Sequence, residues 1–526
     1  MKNKLLILFC LIAIAPGCKK SFLNVPLQGT STSADPQVAV EEVTGAYNAL
    51  ITPDPTQSGF GAYDIHGIYF ITVTNIMSDD ADKGSYALDQ PPAADIDNFT
   101  LTSDNTYVEG LWKGYYAGIS RTNYALQDLP STSSLLGPAM MTTQMAEMHF
   151  LRAYFYFNLV RMFGGVPLVL TVPTGPTNQD SSFYARATDS AVYNQAIIPD
   201  LRYAVANLPL KSATSVGRAT KGAAETLLAK VDMYIKNWKE ADSLTQDVIN
   251  SGQYQLVPDY SILWRQAGDN SIESIFEVET GIYSSVDYGI PEYVEFQGPR
   301  QDNGMGTPTT PWNNPGFNQP AGDDGFGFDM PSANLAAAYE PNDLRKAATI
   351  IDLPASGPPD TLFDGFLVPS LLGVHTYYNY KAYHSQILPG SSIPQIEAFN
   401  GNRSLCQKNV HLLRYAEVLL IKAEADNALG NTSSAIALLN QVRARAGLGP
   451  TTASSQSGLQ TAIWNERRVE LAMEHDRFWD IVRQGRAAQV MTAAGKSFTA
   501  GKNELLPIPS AEIAITGGRL TQNPGY

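Results

Sequence analysis

The sequence predicts a mainly α-helical protein: an α-α superhelix of four tetratricopeptide-like hairpins carrying one long, irregular, loop-rich insertion. Three observations lead there. Two distant segments share one hairpin register, further amphipathic helices precede them, and from 253 to 405 helical periodicity fades while Gly, Pro, Asn and aromatics accumulate. The chain has 526 residues, 44% of them hydrophobic and 10% aromatic, enough to bury a large core. A formal charge of −15 with no Lys/Arg-rich run leaves nothing to displace counterions from a phosphate backbone, so nucleic acid is not an expected partner.

At the N-terminus, Lys2 and Lys4 precede the apolar run LLILFCLIAIA, which closes on Gly17 just before Cys18. That run is well short of the roughly 20 residues a membrane-spanning helix needs, so residues 1–17 read as a signal peptide of an exported chain. APGC resembles a bacterial lipobox, which makes Cys18 the expected lipidated first residue of the mature protein; ordinary cleavage beside an incidental Cys is the alternative. With Cys10 removed and Cys18 acylated, Cys406 has no partner for an intramolecular disulfide. Residues 18–36 then form a tether, with Ser33 or Asp35 capping a helix that has Pro36 in its first turn.

Residues 37–252 hold the first helices: VAVEEVTGAYNAL, YVEGLWKGYYAGISRTNYALQDL, and MAEMHFLRAYFYFNLVRMFGGVP, the last stopped by Gly164, Gly165 and Pro167. Next come the two related segments. Ala229, Tyr234, Ala241 and Val248 match Ala423, Ala428, Ala435 and Val442 at one constant offset, with small residues at the helix crossing and a short polar turn between helices. That is a tetratricopeptide-type hairpin, whose period is roughly 34 residues. A hairpin leaves one apolar face open and must stack, so partners are expected near 40–50 with 108–128 and 146–163 with 190–207. The insertion, 253–405, is then the working surface, and 406–526 the closing helical region.

Catalytic patterns are absent from the sequence. The six histidines form no HExxH and no close pair at metal spacing, and neither a G-x-S-x-G elbow nor a Walker A loop is present. No catalytic residue, metal ligand or cofactor is predicted, and the protein is not expected to be an enzyme. SDDAD (78–82) lacks EF-hand spacing and reads as a solvated loop.

The segment NERRVELAMEHDRFWDIVRQGR, Asn465 to Arg486, concentrates charge. In a continuous helix Glu466, Glu470 and Glu474 line one face, with Arg467 and Arg477 three residues away, while Trp464, Leu471, Phe478 and Val482 form an apolar stripe. Paired carboxylates have depressed pKa values, the reverse of what a general acid needs, so an ion-pair lattice is expected rather than catalysis.

This stretch resembles the C-terminal signature of the SusD/RagB family of outer-membrane nutrient-binding lipoproteins, matching it at Glu466, Arg467, Arg468, Glu470, Leu471, Glu474, Arg477, Asp480, Arg483 and Gly485. His475 stands where Gly is usual. FLRAYFYFNLVRMFGGVPLV, LLRYAEVLLIKAEADNAL and ELLPIPSAEIAITGGRLTQNPGY resemble further blocks of that family. The resemblance implies the four-hairpin fold, a variable region that binds glycan, an outer-membrane lipid anchor facing the cell exterior, and a SusC-like TonB-dependent transporter as partner. Lys19 and Lys20 depart from the acidic residues that many relatives carry after the lipidated Cys.

A sugar offers apolar C–H faces and a rim of hydroxyls, so its receptor needs aromatic platforms with planar polar groups beside them. Local chemistry points to Trp312, Asn313 and Asn314 in TPWNNP, to Tyr288, Tyr293 and Arg300, and more weakly to Asp79 and Tyr86 in the early loop. Phe296, Gln297 and the cluster HTYYNYKAYH (375–384) accompany them, the cluster's alternation suggesting a half-buried strand. The competing reading is a helical-repeat outer-membrane adaptor that binds proteins through the insertion.

Overall fold

The computed structural model describes residues 36–51, 65–173, 183–283, 286–288, 293, 296–298, 326–353, 360–363, 367–368, 376–383 and 408–526. Its first long helices are α1 (Pro36–Asn48), α2 (Thr106–Asp128), α3 (Pro138–Phe163) and α4 (Ile198–Asn207), each packed on its predecessor. Asn105 caps α2, its Oδ1 accepting from the N–H groups of Tyr107 and Val108, which would otherwise lack partners. α3 is buried on nearly all sides, including Phe150, Phe155, Tyr156 and Phe157, and forms the centre of the main core. It stops where the sequence predicts: Gly164 takes φ +72°, and a Cβ at Gly165 would come within 2.0 Å of the Ala187 carbonyl.

The segments of shared register fold alike. α5 (Lys221–Tyr234) pairs with α6 (Trp238–Asn250), α7 (Tyr415–Ala428) pairs with α8 (Thr432–Arg445), and α6 packs directly on α7. Ala229, Ala241 and Val248 are fully buried, as are Ala423, Ala435 and Val442, so methyl-sized side chains let the helices approach closely at matching crossings.

The insertion contains more regular structure than its sequence predicts. Antiparallel two-stranded sheets pair β1 (Ala81–Gly84) with β5 (Phe328–Pro331), β2 (Ser274–Val278) with β10 (Val410–Arg414), β3 (Gly281–Tyr283) with β4 (Val286–Tyr288), β6 (Ile350–Asp352) with β9 (Tyr377–Asn379), and β7 (Asp360–Thr361) with β8 (Leu367–Val368). These strands are too short to give a period-two signal. The β2–β10 ladder closes the insertion at its two ends. A small core of Met330, Ile351, Leu353, Leu362, Tyr378, Tyr380 and Tyr383 lies within it. The protein is thus a mainly helical solenoid with a strand-containing insertion.

The charged C-terminal segment is not one helix. α9 (Gln456–Glu470) ends at Glu470, and α10 (Arg477–Arg483) begins after a reversal in which Met473 and His475 adopt φ of +63° and +72°. The position where His replaces the usual Gly is therefore left-handed backbone, which explains the preference for Gly there. His475 holds this conformation because its surroundings secure it: its N–H donates to Asn75 Oδ1, Nδ1 lies 3.0 Å from Thr74 Oγ1, and Nε2 lies 3.3 Å from the Tyr293 hydroxyl.

Candidate functional site

The reversal changes which charges meet. Glu470 is reached by Arg345 from the insertion, by Arg414 at the end of β10 and by Arg445 at the end of α8. Arg414 also clasps Glu474 with two nitrogens, at 2.6 and 2.8 Å, and reaches Glu273 at 2.9 Å. Burial alone would raise the Glu470 carboxyl, but Arg445, Arg414 and Arg345 overcome it and hold the group well below the usual range. The predicted lattice exists, but its bonds run between distant segments. Arg467 turns to Asp480 and Glu417, and Arg477 to Asp79, instead of pairing along one helix with Glu470 and Glu474.

That geometry corrects the reading of the early loop. Asp79 is buried, gripped by Arg477 at 2.7 and 2.9 Å and by Arg468 at 2.9 Å, so its carboxylate joins the two halves of the chain and does not face a ligand. SDDAD is largely interior for the same reason. Tyr86 is half-buried, its carbonyl accepting from Lys83 Nζ at 2.7 Å.

At the junction of insertion and helices lies a sealed polar network. Asn75 Nδ2 donates to Asp329 Oδ2 at 2.9 Å, and Asn379 Nδ2 donates to Gln297 Oε1 at 2.6 Å. Burial pushes the Asp329 carboxyl up to about 7, against the lowering effect of the Asn75 and Asn379 amides. Tyr293, proposed from sequence as a ligand contact, is buried here beside His475, and Phe296 and Gln297 are buried with it. The Tyr377–Tyr383 cluster packs too: only Tyr377 to Asn379 form a strand, and Tyr378, Tyr380 and Tyr383 are all core. Lys381 is enclosed by Trp264 and Tyr260 and bonded to Glu474 at 2.6 Å; burial brings its ammonium down to about 8 although Glu474 opposes the shift.

One aromatic group of the described insertion faces outward. Phe363 is 47% exposed, and its ring stacks on the Arg265 guanidinium at 4.0 Å, with Tyr380 on the same cation at 4.3 Å. The N–H of Phe363 donates to the Tyr380 hydroxyl at 2.8 Å, fixing the loop to the small core beneath. An exposed ring stacked on a half-buried, aromatic-braced guanidinium offers a fixed apolar face. The sequence reading missed Phe363, because TLFDGF carries no pattern that separates a platform from a core residue. Tyr288 lies in β4, paired with Gly281. Trp312, Asn313, Asn314, Arg300 and Cys18 lie outside the described residues. A separate cleft of about 450 Å³ opens on the helical scaffold between Tyr193, Tyr234 and Trp479, with no described insertion residue in its lining.

Two family models match the chain, one described as "SusD family" over residues 376–526 and one as "Starch-binding associating with outer membrane" over residues 62–233. The chain belongs to the SusD family. SusD-family proteins bind without catalysis and associate with the outer membrane, so this protein is not an enzyme and is an outer-membrane-associated one. Among SusD-like relatives, SusD-like protein P2 of Formosa agariphila is 28% identical over 94% of this chain and 93% of its own length. A laminarin-binding SusD-like protein of known structure is 29% identical, covering 93% of this chain and 99% of its own, with a TM-score of 0.73. Surface glycan-binding protein A from Bacteroides fluxus is similar at 25% identity, with coverages of 93% and 99% and a TM-score of 0.72.

Proposed function

We propose that this SusD-family protein captures oligosaccharide at the outer membrane and passes it to a SusC-like TonB-dependent transporter, anchored by lipid on Cys18 and facing the cell exterior. Four tetratricopeptide-like hairpins serve as scaffold, with the units divided at 18–36, 37–252, 253–405 and 406–526. The ligand surface lies on the insertion: Phe363 over Arg265, together with Trp312, Asn313, Asn314, Tyr288 and Arg300. The observation that carries this reading is the exposed Phe363–Arg265 stack on a region whose other described aromatics are mostly buried. The similarity to a laminarin-binding protein supports a glucan as the first ligand to try.

The test is binding of the soluble chain, starting after Cys18, to a panel of plant, host and microbial glycans led by laminarin, with product analysis on every hit. Saturable binding without products, weakened by about 1–2 kcal/mol in Trp312→Ala, supports the reading. Silence across the panel, together with a stable protein partner recovered without sugar, overturns it in favour of the adaptor.

A further inference from the structure

A cluster at the neck of the insertion lies outside the ligand surface proposed above. Asp269 precedes β2, Glu277 lies on β2 and His411 on β10, yet ligand-capable atoms of all three lie within 4.8 Å of one another. The convergence is built into the ladder. His411 and Glu277 are direct cross-strand partners, and the register slips between His411 and Leu413, a distortion of the kind that re-aims side chains. Trp264 meets the imidazole edge-on at 5.4 Å. The N–H of Asn270 donates to both oxygens of Glu277, at 3.0 and 3.1 Å, and Asn409 Nδ2 donates to Glu277 Oε2 at 2.8 Å and to Glu279 Oε2 at 3.0 Å. The Glu277 carboxylate is thus oriented by two amides, as ligating groups are in built metal sites.

A second observation points to a ligand. The His411 side chain is only 6% exposed, and its Nδ1 lies 3.3 Å from Glu277 Oε1 without making a hydrogen bond. Glu279 Oε1, two residues after Glu277 and just past β2, is likewise buried without a hydrogen bond. Buried polar atoms are nearly always satisfied, so the unbonded His411 Nδ1 within the cluster marks a missing partner. The nearby ammonium groups are fixed on main-chain carbonyls: Lys211 on Ser271 and Ser274, Lys408 on Trp264 and Tyr383.

We propose that Asp269, Glu277 and His411 bind one divalent metal ion of the zinc class, which staples the two ends of the insertion together. One imidazole nitrogen with two carboxylates is a borderline donor set suited to such an ion, with a coordination position left for water; calcium prefers about six to eight oxygens. The donors span the whole insertion, from Asp269 near its start to His411 just past its end. An ion there closes a very long loop in the folded state, and its binding free energy adds to folding.

The test uses the soluble chain, stripped with a chelator and titrated separately with Zn²⁺, Co²⁺ and Ca²⁺ by calorimetry, thermal unfolding and visible absorption. Expected are one equivalent of Zn²⁺ bound, a raised Tm, Co²⁺ ligand-field bands that Zn²⁺ displaces, and a loss of affinity of about 100-fold or more in His411→Gln. The wild-type Co²⁺ spectrum decides the matter even where a variant does not fold. Absence of saturable Zn²⁺ and Co²⁺ binding by the wild type overturns the proposal, as does tight binding that His411→Gln leaves intact or a clear preference for Ca²⁺.

Discussion

Arg265 and Arg414 stand at opposite ends of the insertion and face different surroundings. Arg414 is sealed among Glu273, Glu470 and Glu474, with every strong bond directed inward. Arg265 lies half-buried between Phe363 and Tyr380, one of which is open to solvent. Both regions combine charge with aromatic rings, so neither feature by itself marks a binding surface. What separates them is the number of described chain segments that close over each: the lattice is covered by the insertion, β10, α8 and α9, whereas Phe363, packed on Arg265, Tyr380 and Tyr383, keeps nearly half of its surface open.

The contrast breaks most severely at Arg414. Arg414→Ala leaves three carboxylates buried with fewer counter-charges, and equilibrium denaturation should show a loss of about 3–5 kcal/mol. Glycan affinity of the protein that remains folded should be unchanged.

Asp329→Asn should act in the opposite direction. A folded value of about 7, above the ordinary 3.8, means that the folded protein holds this proton more tightly, so its contribution is full below about pH 4 and is lost as pH rises through 7. Asn accepts the same hydrogen bonds and tolerates the left-handed φ of +55° at this position. Relative to the parent, the variant should therefore gain stability between pH 4 and 7, by up to about 4 kcal/mol, measured as the pH dependence of the difference in unfolding free energy.

His66 has the reverse sign. Burial pushes its imidazole down to about 4, so the unfolded chain takes up the proton first and stability falls as pH drops from 6.5 towards 4. The gap between parent and His66→Gln should narrow by about 3 kcal/mol over that window.

The smallest effect tests the exposed side. Phe363→Ala should weaken glycan binding by about 1 kcal/mol, roughly fivefold, while shifting Tm little, because the ring is half open to solvent. A large loss of stability with unchanged affinity would place Phe363 with the core residues and remove the contrast.

Sequence periodicity carried the helical scaffold well, because α5 to α8 repeat one pattern of small residues whose burial is local. It also identified charge pairing in the 465–486 segment. It could not supply the partners, since Asp79, Arg345 and Arg414 lie far away in the chain, nor the reversal at 473–475, which Met and His do not advertise; only the displaced Gly hinted at it. Asp79 sits in a loop that looks polar and solvated until distant segments close over it, and Tyr293 looks like a platform by residue type alone although the fold buries it beside His475. Phe363 was missed because a platform and a core aromatic differ only in what lies above the ring.

The ion pairs also make closure of the interior depend on the last part of the chain. Asp79, Arg161 and Lys230 find counter-charges on Arg468, Arg477 and Asp476, which are translated near the end of the chain. Until then, a nascent N-terminal half that tried to collapse would bury charge without a counterpart. Completion of the interior is thereby deferred until nearly the whole polypeptide has been made, and a shortened product carries its defect as an interior that cannot close.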